Sequence, residues 1–181
     1  ANDQRELVSA KWGLIPSWAK DPKIGNRMIN ARAETAAEKP AFRAAMKKRR
    51  CVIPASGFYE WQKIEGSKAK QPWFIHSANK PIIAMAGLWE LWDRADEPIE
   101  SFTVLTTTPN ATMTALHDRM PVILDPNDIA KWLAPDASPE QLNGMLTPAP
   151  DGTIGAHRVL PRVNRPANDD SSLTQPITET P

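Results

Sequence analysis

Short runs in which apolar and polar residues alternate dominate the middle of this chain. They read RCVIPA, GFYEWQKI, PWFIHS, IIAMAGLWELW and SFTVLTT, and turn-forming segments such as EGSKAKQ, SANKP and RADEP separate them. Alternation with a period of two, bounded by Gly, Pro, Asn and Asp, predicts strands. Because the connections are short, consecutive strands are expected to pair antiparallel, in a strongly twisted sheet or an irregular barrel.

The flanking segments add further strands and several short helices. VSAKWGLI, PVIL and AHRVLP predict strands, the first of them closed by Pro16. PAFRAAMKKRR, PNATMTALH, DPNDIAKWLA and SPEQLNGML predict short helices, and Asn110 is placed to cap the second of these. Together these patterns predict an α+β fold in which antiparallel sheets carry short helices at their periphery.

Composition sets the size and the boundaries of the fold. The chain has 181 residues, 41% hydrophobic and 24% charged, which is enough for one domain with a core of its own. We find no internal repeat and predict a single domain over residues 1–165. Residues 166–181, PANDDSSLTQPITETP, are polar and proline-bearing, and they predict an extended or disordered, flexible C-terminal tail.

Charge and residue counts exclude several classes of function. The net charge of +1 provides no global attraction for nucleic acid, so any DNA contact must come from a local patch. No apolar run is long enough to span a membrane, and ANDQRELVSA is not a signal peptide. The lone cysteine fits a reducing cytosol, and its distance from the three histidines argues against a metal site. We therefore expect neither a metal nor a cofactor.

The segment CVIPASGFYEWQ contains two groups that could carry chemistry, Cys51 and Glu60. In a strand, Glu60 shares one face with Phe58 and Gln62, so it is either a solvated residue or a carboxylate held in a pocket beside Phe58. Cys51 has the surroundings of a small apolar core residue, and buried free cysteines are usually inert.

The segment INARAET places Asn30 and Arg32 on one face of an extended chain. They are either a capping amide and a surface arginine, or a donor to a ligand oxygen and a partner for phosphate. In WGLIPSW, the rings of Trp12 and Trp18 either pack in the core or stack on an unpaired base.

Two further segments leave a structural and a functional interpretation open. His117 in LHDRMP lies at the end of a short helix, where it either caps carbonyls or transfers protons near neutral pH. The basic run KKRR at residues 47–50 either interacts with a helix dipole and solvent or faces phosphate.

Seven short motifs occur in an order that resembles one family. They are WGLIPSW, NARAET, CVIPASGFYEW, QPWFIH, AGLWE, FTVLTTTPN and HDRMPVIL, and the resemblance that they carry extends from about Trp12 to about Asn164. This pattern resembles the SOS response-associated peptidase (SRAP) family, the abasic-site processing proteins. LPRVNRPANDD near the end is a looser match to which we assign no function at this stage.

The resemblance implies a fold and an activity. The fold is a single domain of twisted, mainly antiparallel sheets that form a barrel-like core. The activity is binding of single-stranded DNA at abasic sites, followed by a covalent DNA–protein cross-link. In this reaction an N-terminal cysteine, exposed by removal of the initiator methionine, gives a Schiff base and then a thiazolidine. The associated peptidase activity is chiefly removal of that methionine.

The resemblance also assigns roles to individual residues. Glu60 accepts the proton of the reactive amine, His117 assists ring opening of the sugar, and Asn30 orients the substrate. Three further positions match residues that contact DNA or line the pocket: Trp18, Arg32 and Thr106. As a member of this family the protein is expected to be a monomeric, cytoplasmic enzyme of the SOS DNA-damage response with hydrolase or lyase character, bound to the nucleoid when it engages DNA.

The chain departs from the family pattern at its start. It begins at Ala1, and the opening Met-Cys-Gly-Arg segment of the family does not appear. Cys51 is internal and has no free α-amine, so it cannot close a thiazolidine. We therefore expect the 181-residue chain alone to form no stable cross-link. The alternative is a non-covalent module that binds single-stranded DNA at damage or junctions. An unrelated hydrolase built on His117 and Glu60 lacks a nucleophile.

Overall fold

Two sheets and five short helices make up the part of the chain that the computed structural model describes, residues 5–177. The strands are β1 (Lys11–Trp12), β2 (Asn30–Arg32), β3 (Arg50–Ala55), β4 (Gly57–Lys63), β5 (Lys70–Ser77), β6 (Ile83–Trp92), β7 (Ile99–Thr107), β8 (Met120–Pro121) and β9 (Ile154–Arg158). The helices are α1 (Ala33–Ala36), α2 (Arg43–Lys48), α3 (Ala111–Thr114), α4 (Ile129–Leu133) and α5 (Pro139–Met145). Single 3₁₀ turns occupy Pro22–Arg27, Pro161–Asn164 and Ser171–Thr174.

The larger sheet is built around β7. Strands β3, β6 and β7 are antiparallel neighbours, and β8 pairs antiparallel with the end of β7. Along the opposite edge of β7, β1 and β2 follow each other and both run parallel to it. The predicted α+β fold with mainly antiparallel sheets is therefore confirmed, with these two short strands as the exceptions.

The smaller sheet has the order β4-β5-β9 and is fully antiparallel, with β4 at its edge. Only Ser56 separates β3 from β4, so the chain passes directly from one sheet to the other. Gly57 makes this crossing possible, since a Cβ there would lie 2.3 Å from the carbonyl oxygen of Ile75. The two sheets therefore meet at a sharp corner immediately before the strand that carries Glu60.

The core has two layers because neighbouring residues of β7 point to opposite faces of the larger sheet. Leu105 belongs to a cluster with Trp132 and Leu142 that the helices cover. Val104 packs on the other side with Ile83 and Met85, and Phe58 of the smaller sheet joins that cluster. This second face of the larger sheet is directed toward β4, the strand that carries Glu60.

Two predicted strands are shorter than the sequence pattern indicates. VSAKWGLI forms a strand only at Lys11–Trp12, because Gly13 adopts φ 113° and packs against Gly25. A Cβ on Gly13 would lie 2.5 Å from the carbonyl oxygen of Gly25, so the strand has to end there. The apolar residues that follow, Leu14 and Ile15, are buried as loop residues. PVIL is a strand only at Met120–Pro121, with one isolated bridge at Ile123.

The C-terminal segment is tied to the smaller sheet in the part that the structure describes. Asp170 accepts a hydrogen bond from the Ser172 backbone N–H, and a 3₁₀ turn follows. The backbone N–H of Ile177 donates to the carbonyl oxygen of Arg158. The segment is therefore not uniformly extended up to Ile177, whereas residues 178–181 of the predicted tail lie outside the described residues. Its flexibility and the 1–165 domain boundary stay predictions.

Candidate active site

Asn30 and Arg32 point to the same side of β2, as the sequence pattern predicts. Both are exposed, whereas Ala31 between them is buried. They are paired with Val104 and Thr106 of β7, so their side chains emerge on the face of the larger sheet that looks toward β4.

A groove of about 500 Å³ opens beside these two residues. Trp18, Asn30 and Arg32 line it together with Lys39 and Phe42. The indole of Trp18 is 52% exposed, and that of Trp12 is 54% exposed. The interpretation of these two tryptophans as core residues is therefore wrong, and Trp18 provides an accessible ring at the border of the groove.

Glu60 lies on the face of β4 that is directed toward the larger sheet. Phe58 on the same face packs between the two sheets, and Trp73 is the residue opposite Glu60 on β5. Burial in these apolar surroundings raises the pKa of the Glu60 carboxyl, while the nearby charge of His117 acts in the opposite direction. Of the two alternatives, the structure therefore matches the carboxylate held in a pocket beside Phe58.

His117 lies three residues after the end of α3, whose capping residue Asn110 accepts from the Met113 backbone N–H as predicted. Its Nδ1 accepts a hydrogen bond from the Arg119 backbone N–H at 3.0 Å. Nδ1 also lies 3.2 Å from the Arg119 backbone oxygen, so the two contacts belong to different tautomers, and only the first of them leaves the proton on Nε2. The Asp118 carboxylate lies 3.1 Å from Nδ1, where it can pair with the protonated ring. The histidine is thus oriented in both protonation states, which a proton-transfer group requires.

Arg119 joins the groove to the segment that carries His117. Its guanidinium binds Glu34 through two hydrogen bonds, at 2.7 and 2.8 Å, and also donates to the backbone oxygen of Thr106. This pairing lowers the pKa of the Glu34 carboxyl, and the nearby charge of Arg32 adds to the effect. The sequence alone did not indicate a role for Arg119 or Glu34, although they lie in the motifs HDRMP and NARAET.

The six residues named from the sequence fall into two neighbouring groups. Glu60 and His117 are close enough for the charge of one to act on the other. Trp18, Asn30 and Arg32 line the groove, and Arg32 is paired with Thr106 across β2 and β7. Thr106 itself is 9% exposed, and its hydroxyl lies near Arg119. The structure shows no direct contact between Asn30, on β2 of the larger sheet, and Glu60, on β4 of the smaller sheet.

Cys51 and the basic run have structural surroundings. Burial raises the pKa of the Cys51 thiol to about 12, so the reactive thiolate is disfavoured at neutral pH. Arg49 forms an ion pair with Glu90 at 2.6 Å. Arg50 is buried and donates to four backbone carbonyls at the ends of α2 and α4. These arginines therefore act within the fold, and only Lys47 and Lys48 of the run are exposed.

Two features are absent from the residues that the structure describes. Between residues 5 and 177, no group of three or more His, Cys, Asp or Glu side chains is arranged to hold a metal ion. In the same range, no helix has both the length and the apolar character needed to cross a bilayer.

The arrangement described above defines a mixed α+β domain with a carboxylate–histidine pair beside an aromatic and basic groove. The family model described as "SOS response associated peptidase (SRAP)" matches residues 1–166. The chain is 46% identical to the abasic site processing protein YoaM of Bacillus subtilis, over 92% of this chain and 74% of the relative. It is 36% identical to the abasic site processing protein HMCES of Xenopus tropicalis, over 73% of this chain and 46% of that relative.

Solved structures agree with the sequence comparisons. A crystal structure of a protein from Bacteroides thetaiotaomicron superposes with a TM-score of 0.85 and 32% identity, covering 92% of this chain and 75% of that one. A protein from Bordetella bronchiseptica gives a TM-score of 0.76 at 30% identity, with coverages of 87% and 79%. The chain belongs to the SRAP family, and the predicted family resemblance is confirmed.

Proposed function

We propose that this protein processes abasic sites in single-stranded DNA by forming a covalent DNA–protein cross-link. The observation that carries the proposal is the pairing of a half-buried Glu60, whose pKa burial raises, with an oriented His117. The relatives are named abasic site processing proteins, and this name gives the substrate class. No residue of this proposal requires a metal or a cofactor.

The reaction joins the ring-opened sugar aldehyde to an N-terminal cysteine. The α-amine adds to the aldehyde carbon and loses one water, which gives an imine. The thiol sulfur then adds to the imine carbon, and its proton passes to the nitrogen, so that the thiazolidine forms with no further loss of atoms. A carboxylate with a raised pKa is suited to take the proton of the incoming ammonium near neutral pH.

His117 serves the opening of the sugar ring. In the tautomer in which Nδ1 accepts from the Arg119 backbone N–H, the neutral ring carries its proton on Nε2. Within residues 5–177 the structure gives Nε2 no hydrogen-bond partner, so this proton is available to a substrate oxygen. Glu60 thus accepts a proton from the amine nitrogen, and His117 donates a proton to a sugar oxygen.

The groove provides the DNA contacts. The exposed ring of Trp18 can stack on an unpaired base, and the guanidinium of Arg32 can bind phosphate with two parallel hydrogen bonds. The amide of Asn30 lines the same groove and can orient the sugar, and Thr106 of β7 lies opposite Arg32. Autopeptidase activity belongs to the same proposal, because removing an initiator methionine exposes the amine that Glu60 serves.

A denaturing gel tests the cross-link. The 181-residue chain and a version with the Met-Cys-Gly-Arg segment of the family placed before Ala1 are incubated with an abasic single-stranded oligonucleotide. We expect a heat-stable cross-link from the extended version only. It should persist with Cys51→Ala and fall by about 100-fold or more in rate with Glu60→Gln or His117→Asn. A stable cross-link from the shorter chain that Cys51→Ala abolishes would contradict the proposal.

A second function is favoured by the accessibility of the groove alone. Trp18 and Arg32 could bind single-stranded DNA without covalent chemistry. In that case the extended version would bind the oligonucleotide in a filter assay, yet no band would survive denaturation. Full binding together with full loss of the cross-link in the extended protein would identify this alternative.

A further inference from the structure

Glu60 lies on an edge strand, so its position depends on what holds that strand. β4 is hydrogen-bonded only to β5 within the smaller sheet. Its other edge has no strand partner among residues 5–177. An edge strand fixed on one side only can shift relative to the segment opposite, and here the segment opposite carries His117.

One side chain on the inner face of β4 connects these two parts. The Nε2 of Gln62 donates to the carbonyl oxygen of Ala115 at 3.1 Å, just before His117. The Oε1 of Gln62 accepts from the indole Nε1 of Trp73 at 3.1 Å. Because an indole N–H can only donate, the second bond fixes which end of the amide faces Ala115.

The geometry assigns Gln62 as a positioning residue that holds Glu60 at its working distance from His117. Gln62 lies two residues after Glu60 on the same face of the strand, and Trp73 is the residue opposite Glu60. The Gln62 amide is therefore bound both to the strand pair that carries Glu60 and to the end of the helix that precedes His117. The inference rests on the proposed function, since only there does the distance between the two groups matter.

Few charges act on Glu60, so the strength of one interaction can report the distance between its carboxyl and the His117 ring. The charges of His117, Asp118 and Lys70 influence the Glu60 carboxyl, with His117 the largest of the three. Replacing His117 by Asn removes a charge that favours the carboxylate, so the pKa of Glu60 should rise. The size of that rise reports how close the two side chains are, because a Coulomb interaction weakens with distance.

The test is a double-mutant cycle read by carbon-13 NMR titration of the Glu60 carboxyl in the free protein. The four proteins are wild type, His117→Asn, Gln62→Met and the double variant. Met has nearly the size of Gln but forms neither hydrogen bond. We expect the rise caused by His117→Asn to be at least about twofold smaller in the Gln62→Met background. The assignment would be overturned if His117→Asn raised the pKa of Glu60 equally in both backgrounds. It would also be overturned if His117→Asn caused no rise when Gln62 is present.

Two further variants separate positioning from a general loss of stability. Trp73→Phe keeps the aromatic ring but removes the N–H that orients Gln62, so it should reduce the coupling in the same direction even if Gln62→Met fails to fold. Ser138→Ala removes the cap of α5, where the Ser138 hydroxyl accepts from the Gln141 backbone N–H at 3.3 Å, and it should leave the coupling unchanged. A reduction of equal size in Ser138→Ala would also overturn the assignment.

The gel assay distinguishes this inference from the function on which it rests. If the extended wild type forms no cross-link, the proposed function fails, while the NMR cycle still reports on Gln62. If it does form one, Gln62→Met should lower the rate at saturating DNA by about tenfold and leave the Kd for DNA unchanged. An unchanged rate in a folded Gln62→Met protein would count against the positioning role.

Discussion

At the scale of single residues, Glu60 is held in surroundings that oppose its charge. Phe58 and Trp73 are apolar neighbours on its face of the sheet, and they remove water that would solvate a carboxylate. The partial compensation comes from His117 and from the backbone N–H of Trp61. A residue in such a place reduces the stability of the folded state at neutral pH, and this is common where a group serves chemistry.

Glu60→Gln should therefore stabilise the protein at pH 7 to 8 and lose that advantage on acidification. Because folding raises the pKa of Glu60, the folded state binds the proton more tightly than the unfolded state does. The stability that protonated Glu60 contributes to the wild type is present below the unfolded pKa and is lost as the pH rises through the folded pKa. Thermal unfolding of wild type and variant between pH 4 and pH 8 measures the difference in Tm.

Glu65→Gln, in the exposed turn after β4, is the matched control and should give no such pH-dependent difference. If Glu60→Gln proved less stable than wild type at pH 8 and equal to it at pH 4, the sign of the pKa shift would be wrong.

Arg119 shows which part of the site a sequence can and cannot predict. The motifs NARAET and HDRMP identify the segments, and Asn110 identifies the cap that places His117. The bond between Arg119 and Glu34 joins residues 85 positions apart, and no local pattern encodes that distance. The exposure of Trp18 was equally hidden, since a tryptophan beside a proline fits a core and a groove alike.

At the scale of elements, Arg50 caps the C-terminal ends of two helices, α2 and α4. It is buried, and its guanidinium donates to the carbonyls of Met46 and Lys47 in α2 and to those of Trp132 and Ala134 at the end of α4. The group also lies 5.9 Å from the centre of the Trp132 ring. One side chain at the start of β3 thus satisfies carbonyls that both helices leave unpaired.

Arg50→Met should lower the free energy of unfolding by about 2–4 kcal/mol, because it leaves several buried carbonyls without a donor. Arg50→Lys should recover only part of this loss, since an ammonium group cannot reproduce the planar fork of donors. Urea denaturation measures both. Lys48→Met, two residues earlier and exposed, is the control and should change stability by less than about 0.5 kcal/mol. Equal effects at positions 48 and 50 would contradict the capping role.

The sequence predicted the strands correctly where alternation and turn residues agreed. It failed where tertiary packing determines the end of a strand. β3 to β7 match the sequence segments closely because each is bounded by Gly, Pro or Asn. β1 ends early because Gly13 must pass within contact of Gly25, a tertiary constraint that alternation does not record.

At the scale of the whole molecule, the near-neutral chain confines any attraction for DNA to one place. The net charge is +1, whereas the groove holds Arg32 and Lys39 beside the exposed Trp18. Binding that depends on such a patch releases a small number of counterions, so its salt dependence should be shallow but measurable.

Arg32→Ala should reduce the slope of log Kd against log salt concentration by about 0.7, the value for one phosphate contact on a single strand. Lys131→Ala, on α4 at the helix-covered face of the larger sheet, should leave the slope unchanged. Filter binding to an oligothymidine at several salt concentrations measures it. Identical slopes for Arg32→Ala and wild type would exclude Arg32 as a phosphate contact.

Deleting residues 168–181 tests whether the predicted tail is dispensable. The sequence predicts little change in Tm, because the segment cannot bury much apolar surface. The contacts that the deletion removes include the ion pair of Arg162 with Asp170 at 3.0 Å and the hydrogen bond from the Ile177 backbone N–H to the Arg158 carbonyl oxygen. A fall in Tm of many degrees, measured by calorimetry, would show that these contacts hold the segment in place and that the prediction is wrong.

The parallel edge of β7 has a consequence for the order of events during synthesis. β1 and β2 can pair only with β7, and 75 residues separate Ala31 from Thr106 in the chain. At translation rates of roughly 5–20 residues per second, the N-terminal strands wait about 4–15 s on the ribosome before their partner exists. During that interval both segments around Trp12 and Trp18 are open to chaperones, and the groove cannot form before β7 has been made.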